Sequence, residues 1–301
     1  MDIRYLKNNE IDRVKWDKCI AASVNGILYA QSAYLNIVCR KWDALVLGNY
    51  EAVMPLPWKR IYRFKVLYQP LFTQQLGIFS PHRMSPALVD RFISEATRYF
   101  PYININLNTF NICTLSYPDI TQRVTYEIDL IESYQVLRKR FSVNTIRNIK
   151  AAIKEGVTIK NEVSPRELIK LKHRNQIVKI KYQGYQKLKK IMSYALNTKS
   201  GKIYGAFSPK GKLVASALFI GSHHKVIYLV SSSNAEGKKL RAMFLLIDQF
   251  IRDFSGNHLT LDFEGSMIAS IARFFQNFGA KPCYYQNILI NNLPWYIKIL
   301  R

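Results

Sequence analysis

Apolar positions along this chain come in short alternating runs interleaved with helical spacings, the pattern of a mixed α/β protein. Residues 9–22 carry helical spacing, with Ile11, Val14, Trp16 and Ile20 as the apolar contacts. Residues 32–40 read as a second short helix with Ser32 at its N-cap. Strand signals follow at 44–47 and 51–56 about a Gly48-Asn49 turn, then at 64–68 and 75–79. A helix is expected over 85–100, an alternating strand over 102–107, and a strand over 123–130 that ends the first half. The second half opens with a helix over 132–155, stopped by Gly156 in the C′ position, and a strand over 157–160. Ser164-Pro165 stands in N-cap, N1 order and begins a long basic helical region, reaching to about 196 and broken near Gly184. Three strands (202–207, 213–221, 226–231) turn at Pro209-Lys210-Gly211 and at His223-His224. A helix over 238–254, a strand over 258–263, a helix over 267–278 capped by Ser266, and a strand over 281–290 complete the order.

The length of 301 residues suggests two domains, placed at 1–130 and 131–301. An apolar content of 49% is that of a packed protein, and no stretch approaches the roughly 18 apolar residues of a membrane span. The first residues lack the apolar core of a signal peptide, so a cytoplasmic location is expected. Cys19, Cys39, Cys113 and Cys283 show no C-x-x-C spacing and read as reduced thiols, with no metal site. His223 and His224 are adjacent, so on a strand they point opposite ways and do not share a metal.

Charge changes the picture. The net charge is +24, and the segment 138–190, with sixteen Lys and Arg (Lys179 among them) against Glu155, Glu162 and Glu167, holds +13 of it. Such a field attracts polyanions: nucleic acid, a phosphorylated small molecule or carrier, or peripheral contact with an anionic membrane.

Two stretches carry a family resemblance. Residues 137–159, containing Arg147-Asn-Ile-Lys-Ala-Ala-Ile-Lys-Glu-Gly-Val157, form the first. Leu261-Asp-Phe-Glu-Gly-Ser266, followed by Ile271-Ala-Arg-Phe-Phe-Gln-Asn-Phe-Gly-Ala-Lys281, forms the second. Both resemble the Fem-type peptidoglycan-bridge aminoacyltransferases of the GNAT superfamily. The resemblance implies two tandem GNAT-like (acyl-CoA N-acyltransferase) domains, each a mixed, mainly antiparallel sheet flanked by helices. It further implies an acyl or aminoacyl transferase in cell-envelope metabolism, taking acyl-CoA or aminoacyl-tRNA as donor and an amine as acceptor. The alternative is a non-catalytic basic protein that binds nucleic acid or an anionic carrier. GNAT acetyltransferases hold the coenzyme A pyrophosphate with Q/R-x-x-G-x-G/A, and this chain has Asn234-Ala-Glu-Gly-Lys-Lys239, in which only Gly237 fits.

Three groups of residues are candidates for chemistry. Arg140, Arg147 and Lys154 recur every seven residues on the expected 132–155 helix, with Lys150 beside them and Leu137, Phe141, Ile149 and Ala152 opposite. They read as a phosphate-binding ridge or as a solvated face. Ser232, Ser233, Asn234, Gly237, Lys238, Lys239 and Arg241, where a strand meets a helix, suit an anionic donor or serve as a polar cap. Asp262 and Glu264, near a strand's C-terminal end, offer a general base for an attacking amine, or the chemistry of a tight turn. The strands ending near 231 and 263 are expected to part there. Tyr284, Tyr285 and Trp295 read as core or domain-interface aromatics.

Overall fold

Short apolar runs in the first third of the chain, continuous and buried in the second and third, form β1 (Ile3–Leu6), β2 (Trp42–Leu47), β3 (Ala52–Ile61), β4 (Phe64–Tyr68) and β5 (Tyr102–Asn106). In this computed structural model residues 2–175, 180–265 and 267–295 are described, so Lys179 and Ser266 lie outside the described residues. The chain divides into two compact units, Met1–Arg123 with Tyr284–Arg301, and Val124–Cys283.

In the first unit the strands pair in sequence order, antiparallel except for β4 with β5. The last strand of the chain, from Asn287 to Asn291, pairs antiparallel with β5. Its Ile288 and Ile290 enter a core built from Leu45, Met54, Leu67, Phe92 and Ile103. A break near 130 is the sequence expectation, whereas the first unit ends at Arg123 and takes back the segment from Tyr284. Three further helices serve this unit: α1 (Arg13–Ala22), α2 (Ser32–Val38) and α3 (Pro86–Thr97). Asp12 caps α1 by accepting from the Val14 and Lys15 amides. Trp16, Cys19 and Ile20 of α1 are buried, while Val14, about 160° round the helix from Trp16, is 78% exposed. The cap expected at Ser32 belongs to Gln31, and both the Ser32 amide and hydroxyl bond the Asp17 carboxylate at 2.8 and 2.6 Å.

The strand expected at 75–79 is absent apart from a Val53–Phe79 bridge. Side-chain amides take over its backbone groups. Asn111 accepts from the Ile78 amide at 2.7 Å, and Asn108 donates to the Leu76 carbonyl at 3.0 Å.

The second unit holds β6 (Asp119–Asp129, from Val124 onward), α4 (Tyr134–Lys139), α5 (Val143–Lys154), β7 (Thr158–Lys160), α6 (Pro165–Arg174) and α7 (Tyr182–Asn197). The meander β8 (Gly201–Phe207), β9 (Leu213–Ser222) and β10 (Lys225–Ser233) follows. Then come α8 (Ala235–Lys239), α9 (Ala242–Phe254), β11 (Thr260–Asp262), α10 (Ala269–Gln276) and, up to Cys283, the start of β12 (Lys281–Asn291). Its sheet runs β6-β11-β10-β9-β8-β7, antiparallel except for β10 with β11. Phe219 of β9 stacks on Phe250 of α9 at 3.7 Å, and Leu137, Phe141, Ile149 and Ala152 bury into the same core.

Three expected helices are interrupted. The 132–155 helix stops after Lys139 and restarts at Val143, with Ser142 as a new cap accepting from the Thr145 amide. The Ser142 amide itself donates to the Asn277 carbonyl at 2.9 Å, a tertiary contact that repays the lost helical bond. The basic helical region ends at Arg174 and restarts at Tyr182, with Gly184 inside α7 rather than at a break. Between α8 and α9, Arg241 adopts the left-handed conformation with φ 57°.

Candidate functional site

Two parallel strands set the geometry. β10 and β11 pair over Lys225–Thr260, Val226–Leu261 and Ile227–Asp262, where β11 ends. β10 then bulges: Tyr228 opposes Phe219 and Val230 opposes Leu218, so Leu229 is an extra residue. It runs on unpaired with β11 to Ser233, a span of about 20 Å in extended chain. Pairing between the two strands therefore ends at Ile227 and Asp262, where β11 itself ends.

Asp262 is 2% exposed and fully engaged. Its Oδ1 accepts from the Thr125 hydroxyl at 2.5 Å and from the Glu264 amide at 2.9 Å, and its Oδ2 lies 3.7 Å from Lys225 Nζ. Burial pushes its carboxyl above the usual carboxylate range, although Lys225 pulls the other way. Lys225 also donates to Glu127 at 2.5 Å, and burial pushes the adjacent Cys283 thiol up to about 11. Glu127, Lys225 and Cys283 escape a sequence reading because they come from three separate strands; only cross-strand register brings them to Asp262.

Glu264 sits at φ 55° and Gly265 at φ 46° in the turn that leaves β11. A Cβ on Gly265 would collide with the Val124 carbonyl, so glycine is required there for two reasons, conformation and close approach. The Glu264 side chain keeps part of its surface exposed, yet its carboxyl is deep enough that burial holds it well above the usual range. Asp262 thus fixes the turn by holding the Glu264 amide, and Glu264 carries the perturbed carboxyl.

At the far end of β10, Asn234 caps α8 by accepting from the Gly237 amide at 2.7 Å. Gly237 is buried against the Val214 carbonyl, with no room for a Cβ. Ser233 donates to that same carbonyl at 3.3 Å, and the buried Ser232 hydroxyl has no hydrogen-bond partner among the described residues. Lys238, Lys239 and Arg241 are exposed around this turn. Between the two ends, Lys172 of α6 donates to the Ser231 carbonyl at 3.2 Å, and burial lowers its ammonium below the usual lysine range. The 138–190 charge count includes Lys172, but nothing in the sequence marks it as the cation that meets β10.

The ridge of Arg140, Arg147 and Lys154 does not form as one helical row. Arg140 falls in the break between α4 and α5, where it pairs with Glu132. Arg147, Lys150 and Lys154 remain exposed on α5, with Arg147 bonded to Asn144. Tyr285 is buried, while Tyr284 and Trp295 are exposed. Among the described residues no cluster of His, Cys, Asp and Glu could hold a metal ion, and no helix is long and apolar enough to cross a membrane.

No protein-family model matches the sequence, and no curated protein matches it. Solved structures do. The crystal structure of FemX superposes with a TM-score of 0.67 at 13% identity, covering 100% of both chains. The fold is GNAT/Fem-like. The C-terminal domain of a putative lysylphosphatidylglycerol synthetase from Agrobacterium fabrum follows the same course, with a TM-score of 0.57, 12% identity and coverage of 93% and 91%. The structure of L-PGS from Bacillus licheniformis reaches a TM-score of 0.51 at 10% identity over 86% and 87%. At these identities the likeness concerns the backbone. Asp262 and Glu264 stand where β11 ends, and Ser232, Ser233, Asn234, Gly237, Lys238, Lys239 and Arg241 stand at the far end of β10.

Proposed function

We propose that this chain transfers an acyl or aminoacyl group from a thioester or ester donor to an amine acceptor, in the manner of the Fem-type branch. The parting of β10 from β11 carries the reading. Beyond its last residue paired with β11, β10 runs on for about 20 Å, with a perturbed carboxyl at one end and a cationic turn at the other. An elongated donor, acyl-CoA or aminoacyl-tRNA by its 3′ end, suits such an edge, with its phosphates toward Lys238, Lys239 and Arg241. The bulge at Leu229 presents backbone amide to the donor carbonyl, where N–H groups support a tetrahedral oxyanion.

In the step itself the acceptor nitrogen attacks the donor carbonyl carbon and a C–N bond forms. The C–S or C–O bond to the carrier then breaks, and the carrier leaves with the electron pair. Glu264 acts as the base, taking the proton from the nitrogen and returning it to the leaving group. Its raised pKa makes it the better proton acceptor of the two carboxyls, while Asp262 acts as a positioning residue through the Glu264 amide.

The test is transfer from acyl-CoA and aminoacyl-tRNA donors to amine acceptors by wild type and Glu264→Gln. Loss of a general base should lower kcat about 100-fold or more with KM nearly unchanged. Equal turnover by the variant would leave Glu264 as a turn residue only. Failure of every donor to bind would favour the non-catalytic basic protein.

A further inference from the structure

A second cationic feature stands apart from the parted strands. Tyr134, Arg138 and Lys139 of α4, Lys150 of α5 and Arg252 of α9 line a pocket of 460 Å³. Arg252 lies ten residues along α9 from Ala242, about 15 Å from the end of that helix that adjoins α8. Four cations meet here, and the sequence separates Arg252 from the other three by about a hundred positions.

The acid that serves this cluster is already used. Asp248 is 1% exposed, accepts the Tyr134 hydroxyl at 2.6 Å, and lies 3.7 Å from an Arg252 nitrogen. Arg252 also donates to the Tyr134 oxygen at 3.1 Å, with its guanidinium 4.3 Å from the centre of the ring. This network holds Arg252 in a fixed orientation and leaves one carboxylate against four cations. The Nε of Arg138 is buried and has no hydrogen-bond partner among the described residues. An unpaired guanidinium N–H shielded from water is costly unless an anion takes it. The volume falls in the range of small-molecule sites, larger than a bare phosphate needs.

We propose that this pocket binds a phosphate group borne by a small molecule or a lipid headgroup, at a site distinct from the donor edge. Arg138 is the forked donor at its wall, Lys139 and Lys150 supply charge at its rim, and Arg252 is the pre-oriented fourth cation. The assignment stands whether or not the chain is a transferase.

Pyrophosphate titrated calorimetrically into the full chain is the first measurement, and co-sedimentation with phosphatidylglycerol or phosphatidylcholine vesicles is the second. Wild type should bind pyrophosphate. The double change Lys139→Ala with Lys150→Ala, both at exposed positions, should weaken binding about ten-fold or more while the melting temperature holds. Arg138→Lys should weaken it more than either single lysine change, because the charge stays and the fork goes. Pyrophosphate displacing the protein from phosphatidylglycerol vesicles identifies the source as a lipid phosphate; pyrophosphate binding without vesicle binding identifies a soluble one. If wild type binds neither probe, or the double variant binds both as tightly, the pocket is not a phosphate site.

Discussion

Replacing Lys225 by Met removes the single cation from a largely buried group of two carboxyls and a thiol. Lys225 lies 2.5 Å from Glu127 and 3.7 Å from Asp262, with side-chain exposures of 19%, 18% and 2% for the three. Taking one partner from a buried ion pair leaves an uncompensated charge, and the cost here is about 3 kcal/mol at neutral pH. The sign of the pH dependence follows from the groups themselves. Burial alone would lower the Lys225 ammonium, but Asp262 and Glu127 outweigh it and hold it above its usual value. Its contribution is therefore complete below the ordinary lysine pKa and is lost only as pH rises through the raised one. Burial holds Asp262 above the carboxylate range, so the stability its neutral form confers declines as pH rises through that raised value. In wild type Lys225 limits that decline; in the variant only the hydrogen bonds from the Thr125 hydroxyl and the Glu264 amide do. The deficit should be small near about pH 4 and reach its full size by about pH 8. Urea denaturation followed by far-ultraviolet circular dichroism should show the midpoint falling by about 1 M at the higher pH. Adding Glu127→Gln to the variant should restore part of it. A midpoint shift of the same size at both pH values, or none at the higher, would refute the assigned electrostatics.

Two stability predictions rest on packing. Gly237→Ala sets a methyl against the Val214 carbonyl and Ser233 and should lower stability by about 1–3 kcal/mol, read by the same denaturation. Phe250→Ala removes the ring stacked on Phe219 in the core of the second unit and should cost about 3–5 kcal/mol; a loss below 1 kcal/mol would mean that this core is not close-packed.

The parts of the fold legible in the sequence are those set by local chemistry. Phe64–Tyr68 is a strand, Ser164-Pro165 begins a helix with Glu167 completing a capping box, Gly156 ends α5 at φ 74°, and the meander turns at His223-His224. Three of the misreadings share one cause, a distant partner replacing a local bond. The Asn277 carbonyl allows the helix to break before Ser142, the Asp17 carboxylate takes the amide of Ser32, and Asn108 and Asn111 satisfy a segment that alternates like a strand. The candidate site divides in the same way. The turn around Glu264-Gly265 could be read from its residues, whereas Glu127, Lys225 and Lys172 reach it by register and by packing of α6 on β10. Periodicity alone made Arg140 a member of a ridge, and the break after Lys139 removed it.

The distribution of charge bears on what this protein can bind. The run of cations at 138–190 is contiguous in sequence, but the fold disperses it. Arg140 is neutralised by Glu132, and Lys172 is turned inward to the Ser231 carbonyl. Arg138, Lys139 and Lys150 join Arg252 around one pocket. Non-specific nucleic-acid binding draws on many phosphate contacts at once, and each adds about 0.9 to the logarithmic salt slope on duplex DNA. A pocket for one phosphate group has one such contact to lose, so its slope stays near 1–2 even though the chain as a whole carries +24. A surface used for tracking a duplex would instead draw on cations that stay exposed, such as Arg147, Lys154, Lys160 and Lys170. Salt dependence therefore separates the two uses of the same charge: a steep slope assigns it to a polyanion spread over the exposed lysines, and a shallow one assigns it to discrete anion sites held by the fold.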